Sequence, residues 1–201
     1  MIVIVDCGMG NLRSVQKGFE RVGHAAAITD RPEDVNRAGR VVLPGVGAFG
    51  DAMVNLKAAG LIEPLRDSIA SGRPFLGICV GLQLLFTESN EMGRHRGFGV
   101  LPGSVRRFPV GVRVPQIGWN QIRIQRQTPL LAGIPDRSFF YFVHSYYADP
   151  EVDTDRVATT DYALDYTSIA GRGAAYGIQF HPEKSQELGL RILKNFAERV
   201  C

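Results

Sequence analysis

A cysteine between two glycines is the first feature of this sequence with the chemistry of a nucleophile. Cys79 lies two positions after Gly77 and two before Gly81, between apolar stretches that predict a buried strand at 74–78 and the start of a helix at 80–86. Small neighbours permit a sharp strand-to-helix turn that lifts the nucleophile out of the sheet. Helix N–H groups and the helix dipole would then lower the pKa of the thiol. The alternative is a small buried hydrophobe, the usual state of a free cysteine.

A histidine followed by a carboxylate could supply the base that such a thiol needs. Of the four histidines, only His181 has a carboxylate two residues later, Glu183. In extended backbone these two side chains point the same way, so Glu183 can hold one ring nitrogen while the other faces the thiol. Pro182 stiffens the spacing. Cysteine, histidine and carboxylate together form the arrangement of covalent acyl transfer, although a lone His-Pro-Glu segment is more often a turn.

A glycine-rich loop follows the predicted strand at 40–43. Gly45, Gly47 and Gly50 match the spacing of a dinucleotide-binding fingerprint. That function also requires an acidic residue at the end of the next strand, but Glu63 and Asp67 fall in a helical pattern. The loop could instead present backbone N–H groups to a developing negative charge, as the second arm of an oxyanion hole beside the thiol. A simple tight turn is the other interpretation.

The pattern of apolar runs predicts an α/β fold in which these groups are positioned by a sheet. Up to about residue 98, short apolar runs alternate with helical patterns, which indicates a parallel sheet covered on both faces, with ligands at the carboxyl ends of its strands. Beyond it, six runs joined by Gly, Pro and Asp predict antiparallel strands: 104–108, 116–124, 138–147, 156–160, 166–170 and 174–180. A helix is predicted from about Ser185. No linker interrupts the chain, so we expect one domain over residues 1–201.

Composition excludes several classes of protein. With 45% hydrophobic and 21% charged residues, the chain is typical of a globular domain, and a net charge of +3 with no recognisable nucleic-acid module argues against binding nucleic acid. Cys7, Cys79 and Cys201 are odd in number and far apart, which favours a reducing compartment over a disulfide framework. No signal segment or membrane span is evident, so a cytoplasmic protein is expected.

Several motifs together resemble the class I, triad-type glutamine amidotransferases. G-I-C-V-G-L-Q at 77–83 is similar to their nucleophile turn, and F-H-P-E at 180–183 to their base and its carboxylate. The segments at 6–15, 44–53, 114–120, 140–146 and 181–185 resemble more closely one branch of that family, the glutaminase subunits of imidazole glycerol phosphate synthase. The resemblance runs nearly end to end. It departs at Cys7, where the family often has Tyr, and at Leu82 and Ile117, where it often has Met.

The resemblance implies a three-layer, flavodoxin-like fold, mostly parallel, and a defined reaction without cofactor or metal. Cys79 would attack the side-chain amide carbon of L-glutamine, and His181, oriented by Glu183, would donate a proton to the departing ammonia. Water activated by His181 would then hydrolyse the thioester to glutamate. The oxyanion would be stabilised by the backbone N–H groups of Val80 and Val46.

Further residues acquire roles only through the resemblance. Glu91 would pair with the α-ammonium of glutamine, and the backbone around Ser145 and Tyr146 would hold its carboxylate. The expected substrate-binding set is Gly45, Gly47, Gln83, Glu91, Ser145 and Tyr146. Taken alone, Gln83 reads as a helix residue and Glu91 as a solvated loop carboxylate.

A partner is also implied, because ammonia released into water is protonated and loses its nucleophilicity. In the family the ammonia passes to a (β/α)₈ cyclase subunit, so we expect a heterodimer with low glutaminase activity in the isolated chain. The residues expected at the interface are Asn11, Trp119, Tyr141 and Lys184. Two other functions stay open at this point: a thiol peptidase or esterase, and a non-catalytic binding subunit.

Overall fold

The computed structural model describes residues 1–201 and contains fourteen β-strands and six α-helices. The strands are β1 (Ile2–Val5), β2 (Ala26–Thr29), β3 (Arg40–Gly45), β4 (Phe75–Cys79), β5 (Phe86–Ser89), β6 (His95–Arg96), β7 (Leu101–Arg107), β8 (Gln116–Gln121), β9 (Arg123–Ile124), β10 (Phe139–His144), β11 (Tyr146–Pro150), β12 (Arg156–Asp161), β13 (Asp165–Arg172) and β14 (Ala175–Ile178). The helices are α1 (Leu12–Arg21), α2 (Pro32–Arg37), α3 (Phe49–Ala58), α4 (Ile62–Ala70), α5 (Val80–Gln83) and α6 (Gln186–Glu198).

Twelve of the strands form one mixed sheet, as the alternating pattern predicts. Its main path runs β2-β1-β3-β4-β14-β13-β11-β7-β5-β6, with β12 and β9 attached at β13. The first five strands of the path are parallel, whereas β13, β11 and β7 continue it in antiparallel pairings. The carboxyl ends of β3, β4 and β14 therefore meet at one edge in the middle of the sheet.

Helices cover both faces of the parallel half. The chain moves from β1 to β2 in one direction and from β3 to β4 in the other. Because such crossovers are right-handed, the reversal places α1 on one face and α3 and α4 on the opposite face. On the first face α1 packs against α6, with the rings of Phe19 and Phe196 6.3 Å apart. The result is the three-layer α/β fold expected from the sequence.

Several details differ from the sequence-based predictions; among them, the strand expected over 116–124 is divided into β8 and β9, which belong to different sheets. The helix expected over 80–86 is the single turn α5, after which the chain enters β5, because the all-buried run from Leu82 to Phe86 fits either structure. The strand expected over 138–147 is two strands that break at Ser145. β8 and β10 pair with each other in a separate two-stranded sheet instead of joining the main one.

The interior is one continuous cluster of 52 buried apolar residues that extends across both halves of the sheet. All three cysteines are free, with Cys7 and Cys79 buried and Cys201 exposed. None of the helices combines the length and hydropathy needed to cross a bilayer.

Candidate active site

Cys79 ends β4 in a strained backbone conformation. Its φ is 55° and its ψ −107°, in a region that residues with a side chain rarely adopt. The two flanking glycines are required by close backbone approach: a Cβ on Gly77 would overlap the carbonyl of Gly81, and one on Gly81 would overlap the carbonyl of Leu43 in β3. The turn therefore has the form of the nucleophile elbow predicted from the glycine spacing.

The glycine-rich loop lies beside this elbow. Gly45, the last residue of β3, is in register with Cys79, and a Cβ on it would press against Val80. Gly47 has φ +87°, which turns the loop past the end of the strand. Val46 is 38% exposed and lies on the wall of the same cavity as Val80. The two segments proposed to supply oxyanion donors are thus neighbours.

β14 brings the histidine to the same edge of the sheet. It pairs with β4 in parallel, with Ile178 opposite Ile78, and the chain then continues to His181. His181 Nδ1 lies 2.9 Å from Glu183 Oε1, and the two side chains are 3% and 2% exposed. A 3₁₀ turn at Pro182–Lys184 holds this spacing. The carboxylate therefore lies within hydrogen-bonding distance of the ring, but through this turn and not through the extended backbone expected from the sequence.

The electrostatics of His181 favour its protonated form. Burial lowers the pKa of His181, but the Cys79 thiol and the Glu183 carboxylate together raise it more, to about 9. His181 Nε2 is buried and has no hydrogen-bond partner of regular geometry within the protein. This nitrogen therefore remains available for proton transfer with the thiol, which lines the same cavity.

A cavity of about 400 Å³ joins these groups. Its walls contain nearly all the residues singled out for chemistry or substrate binding: Val46, Gly47, Cys79, Val80, Gln83, Glu91, Ser145, Tyr146 and His181. The rest of the wall is formed by Lys184, which was expected at the partner interface, and by Pro115, Val143 and His144. Gly45 lies behind this wall, in register with Cys79. Glu183 is behind His181, whereas Asn11, Trp119 and Tyr141 are outside the cavity.

Glu91 has a structural contact as well as a place on the cavity wall. Its Oε2 accepts a 2.7 Å hydrogen bond from the backbone N–H of Phe49, the first residue of α3. Burial raises the pKa of Glu91, and this hydrogen bond opposes the rise. The residue is therefore a helix-capping carboxylate that also faces the cavity, not the solvated loop residue that its local sequence suggests.

The break between β10 and β11 shapes the opposite wall. The carbonyl oxygen of Tyr146 accepts hydrogen bonds from Gln83 Nε2 (3.2 Å) and from His144 Nδ1 (2.8 Å). Since a carbonyl can only accept, His144 carries its hydrogen on Nδ1. Burial lowers the pKa of His144 to about 4, so this ring is neutral. These two hydrogen bonds fix the direction of the Tyr146 carbonyl where the chain turns past the thiol.

Two buried residues of the site were missed by sequence reasoning. His144 falls within a segment used for the resemblance but was assigned no role. Gln179 is completely buried, and its Nε2 lies 3.6 Å from Cys79 Sγ. It precedes His181 by two positions in a predicted strand, and that spacing was a signal that it shares a side with the histidine.

The residues expected at a partner interface divide between two places. Trp119 and Tyr141 are opposite each other in the β8–β10 pair, with ring centroids 6.2 Å apart, and Lys184 Nζ lies 5.7 Å from the Tyr141 centroid. Asn11 is exposed beyond Gly10, which packs against Pro44 and Gly45 on the other side of the site. No group of three or more His, Cys, Asp or Glu side chains is arranged to hold a metal ion.

Comparison with known proteins identifies the family of this chain. Residues 3–200 match the family model described as glutamine amidotransferase class-I. The chain is 54% identical to the imidazole glycerol phosphate synthase subunit HisH of Syntrophotalea carbinolica (98% of this chain, 100% of the relative) and 50% identical to that of Moorella thermoacetica (99% and 95%).

Solved structures show the same fold at low sequence identity. A crystal structure of a glutamine amidotransferase superposes with TM-score 0.77 at 19% identity, covering 98% of this chain and all of the other. PurLQS from Thermotoga maritima gives 0.78 at 16% identity, covering 100% and 98%. The chain belongs to the class-I glutamine amidotransferase family and, within it, to the group of HisH subunits of imidazole glycerol phosphate synthase.

Proposed function

We propose that this chain is the glutaminase subunit of an imidazole glycerol phosphate synthase, acting in histidine biosynthesis. It hydrolyses L-glutamine to L-glutamate and ammonia, and the ammonia passes to a cyclase subunit that forms imidazole glycerol phosphate and an aminoimidazole carboxamide ribotide. The observation that carries the proposal is that one cavity is lined by Cys79 and His181, with Glu183 hydrogen-bonded behind the histidine.

The reaction follows from the electrostatics of these three groups. The raised pKa of His181 favours transfer of the thiol proton to Nε2, leaving a thiolate beside an imidazolium. The sulfur attacks the amide carbon, and the tetrahedral intermediate collapses as His181 protonates the leaving ammonia. Neutral His181 then takes a proton from water, which attacks the thioester and releases glutamate and the thiolate.

Both tetrahedral intermediates carry a negative oxygen, for which the elbow and the loop would supply donors. The Val80 N–H follows the nucleophile directly, and the Val46 N–H belongs to the neighbouring loop. Loss of one such donor typically slows chemistry by about a hundredfold or more. A one-turn helix adds little dipole to these two N–H groups.

The remaining cavity residues are proposed to hold the substrate. The half-buried carboxylate of Glu91 is suited to the α-ammonium group of glutamine. Backbone at Ser145 and Tyr146 would receive the α-carboxylate, while Gln83 and the glycines of the loop border the side-chain amide. Each group lies on the wall of the cavity except Gly45, which supports it from behind.

The proposed partner is a cyclase subunit in a heterodimer, docked over Asn11, Trp119, Tyr141 and Lys184. The β8–β10 pair that carries two of these residues is bonded directly to the catalytic turn: His181 N–H donates to Tyr141 O at 2.9 Å, and Tyr141 N–H donates to Ser185 Oγ at 3.0 Å. A partner seated on this pair would therefore contact the element that holds the base. This connection supports the expectation of low activity in the isolated chain and stimulation in the complex.

Substitution of the nucleophile tests the proposal. In the complex with the cyclase, Cys79→Ala should abolish glutamine-dependent product formation, because no thioester can form, while added ammonium still supports the cyclase. Both rates would be measured on the same preparation. Cys201→Ala, which removes an exposed thiol, is the matched control and should retain both rates.

A second measurement separates this function from the alternatives. A glutamine-like electrophile should label Cys79 alone, and glutamine should block the labelling. Glutamine-dependent turnover by Cys79→Ala would overturn the proposal, as would failure of glutamine to protect the thiol. Cleavage of peptides by the isolated chain would instead indicate a thiol peptidase.

A further inference from the structure

The short helix after the nucleophile leaves open what stabilises the thiolate. A helix macrodipole requires several aligned turns, whereas α5 spans only Val80–Gln83. The sulfur has two other close polar neighbours, the carbonyl oxygen of Val143 at 4.0 Å and the amide nitrogen of Gln179 at 3.6 Å. The first can only accept a hydrogen and so favours the neutral thiol, whereas the second donates and favours the thiolate.

The direction of the Gln179 amide is set by a chain of hydrogen bonds. It begins at the Tyr146 carbonyl, which can only accept, so Gln83 must present Nε2 to it. The same Nε2 lies 3.2 Å from Gln179 Oε1, and this oxygen in turn can only accept. The other end of the Gln179 amide, its NH₂ group, is thereby directed at Cys79 Sγ.

Burial makes this donor effective. Gln179 is 0% exposed and Gln83 3% exposed, so neither amide exchanges its partner for solvent. Gln179 is also held at its backbone, where its N–H donates to Ser168 O at 2.8 Å. A hydrogen bond to a charged acceptor in such surroundings is stronger than one to a neutral acceptor.

We propose that Gln179 is a catalytic residue whose amide donates a hydrogen bond to the Cys79 thiolate, and that Gln83, held by the Tyr146 carbonyl, is the positioning residue that directs it. When the S–H proton moves to His181 Nε2, the sulfur loses its ability to donate to Val143 and gains strength as an acceptor for Gln179. This inference deepens the proposed function, on which it rests for the identity of the substrate.

The test measures the ionisation of the thiol without substrate. Alkylation of Cys79 by iodoacetamide is followed against pH, with the modified peptide quantified by mass spectrometry so that Cys7 and Cys201 do not contribute. The other titratable groups on the cavity wall are His144, His181, Glu91, Lys184 and Tyr146, with Glu183 behind. They are unchanged in every variant, so a shift of the midpoint reports on the amide.

Gln179→Met keeps an unbranched side chain of similar length and removes the donor. The midpoint of alkylation should rise by about one pH unit or more, which corresponds to a tenfold or greater loss of thiolate below the midpoint. Gln179→Glu should raise it further, because a carboxylate would face the sulfur.

Turnover in the complex should fall about tenfold for Gln179→Met, with KM for glutamine little changed. Gln83→Met should give a smaller shift, because Gln179 then loses its orientation.

Asn195→Asp is the matched control for a merely structural effect. This buried amide donates to Leu130 O and Ala132 O on the helix α6 side and does not line the cavity. It should lower the free energy of unfolding without moving the pH midpoint of Cys79 alkylation. An unchanged midpoint in Gln179→Met, or an equal shift in Asn195→Asp, would overturn the proposal.

A variant that fails to fold and a failure of the proposed function can both be recognised with these measurements. Were Gln179→Met unable to fold, an unchanged midpoint in Gln83→Met would overturn the proposal. Failure of the glutaminase assignment would be seen in the Cys79→Ala and ammonium rates, whereas the alkylation profile depends only on the thiol and its neighbours.

Discussion

At the scale of single residues, the buried pair of His181 and Glu183 is the most informative feature. A carboxylate whose side chain is 2% exposed, with Oε2 lacking any hydrogen-bond partner, is costly to maintain in a folded protein. The cost is offset only if the neighbouring imidazole carries a proton, which the raised pKa favours. Such a pair is more useful for moving a proton than for stabilising the fold.

Replacing the carboxylate should change the titration of the histidine. Glu183→Gln removes a charge that raises the pKa of His181, so this pKa should fall from about 9 towards or below its ordinary value of 6.5. The measurement is the NMR titration of the His181 ring. Turnover should fall because the imidazolium is no longer stabilised. A ring pKa that stays near 9 in this variant would contradict the assignment.

The same shift predicts a pH dependence of stability. A group whose pKa is higher in the folded than in the unfolded chain stabilises the fold fully below its unfolded pKa. This stabilisation is lost as pH rises through the folded pKa. The contribution of His181 should therefore be complete below pH 6.5 and disappear towards about pH 9. The measurement is urea unfolding at a series of pH values. Over that interval, the free energy of unfolding should decrease less in Glu183→Gln than in the unsubstituted chain.

At the scale of elements, the elbow depends on how closely β4, α5 and β3 approach. Cys79 holds its positive φ because the chain on both sides lacks a Cβ that would force the strands apart. Strain of this kind persists only where the surrounding structure determines the backbone fully. Here the determining contacts are the buried parallel strands on either side of β4.

Gly81→Ala should therefore disrupt the elbow. Its Cβ would overlap the Leu43 carbonyl, backbone that cannot move without displacing β3, so we expect a loss of more than about 3 kcal/mol in the free energy of unfolding. Gly39→Ala is the control, because its Cβ would make only ordinary contacts of 3.5 Å and 3.6 Å with Met1. Urea unfolding of both variants checks the comparison, and similar values for the two would contradict it.

At the scale of the whole molecule, a single core underlies both halves of the chain. The cluster of 52 buried apolar residues runs from β1 to α6 without a boundary. One domain over residues 1–201 remains a prediction, since the β8–β10 pair stands apart from the main sheet. A continuous core favours cooperative unfolding.

Unfolding followed by two probes tests the single domain. The only tryptophan, Trp119, lies on β8 and reports the separate pair, whereas far-ultraviolet circular dichroism reports the helices and main sheet. The two urea transitions should coincide. A tryptophan transition at distinctly lower urea would show that the β8–β10 pair unfolds independently.

The exposed face of the β8–β10 pair predicts where the cyclase subunit binds. Trp119 is 46% exposed, and its neighbours Ile117 and Phe139 are also exposed and apolar. Trp119→Ala should weaken binding of the cyclase tenfold or more, because aromatic anchors dominate such interfaces, while the isolated chain stays folded. Val54→Ala, at an exposed apolar residue on α3, is the control. Equal affinities by calorimetry would contradict the proposed interface.

Some differences between prediction and structure have a common cause. The run from Leu82 to Phe86 has a single polar residue, Gln83, which is itself buried, so no alternation of polar and apolar positions marks where α5 ends and β5 begins. Likewise Glu91 reads as a surface residue until α3 is placed beside it. Gln179 reads as one position of a strand until the neighbouring thiol and Gln83 are present.

The sequence by itself indicated the α/β class, a turn at Cys79 and the spacing of His181 and Glu183, because each depends on residues a few positions apart. Only the tertiary structure decided that these two segments, about a hundred positions apart, share one cavity with Glu91, Gln83 and Gln179. Their meeting depends on the parallel pairing of β4 with β14, which is set by burial of both strands in the core and not by any local pattern.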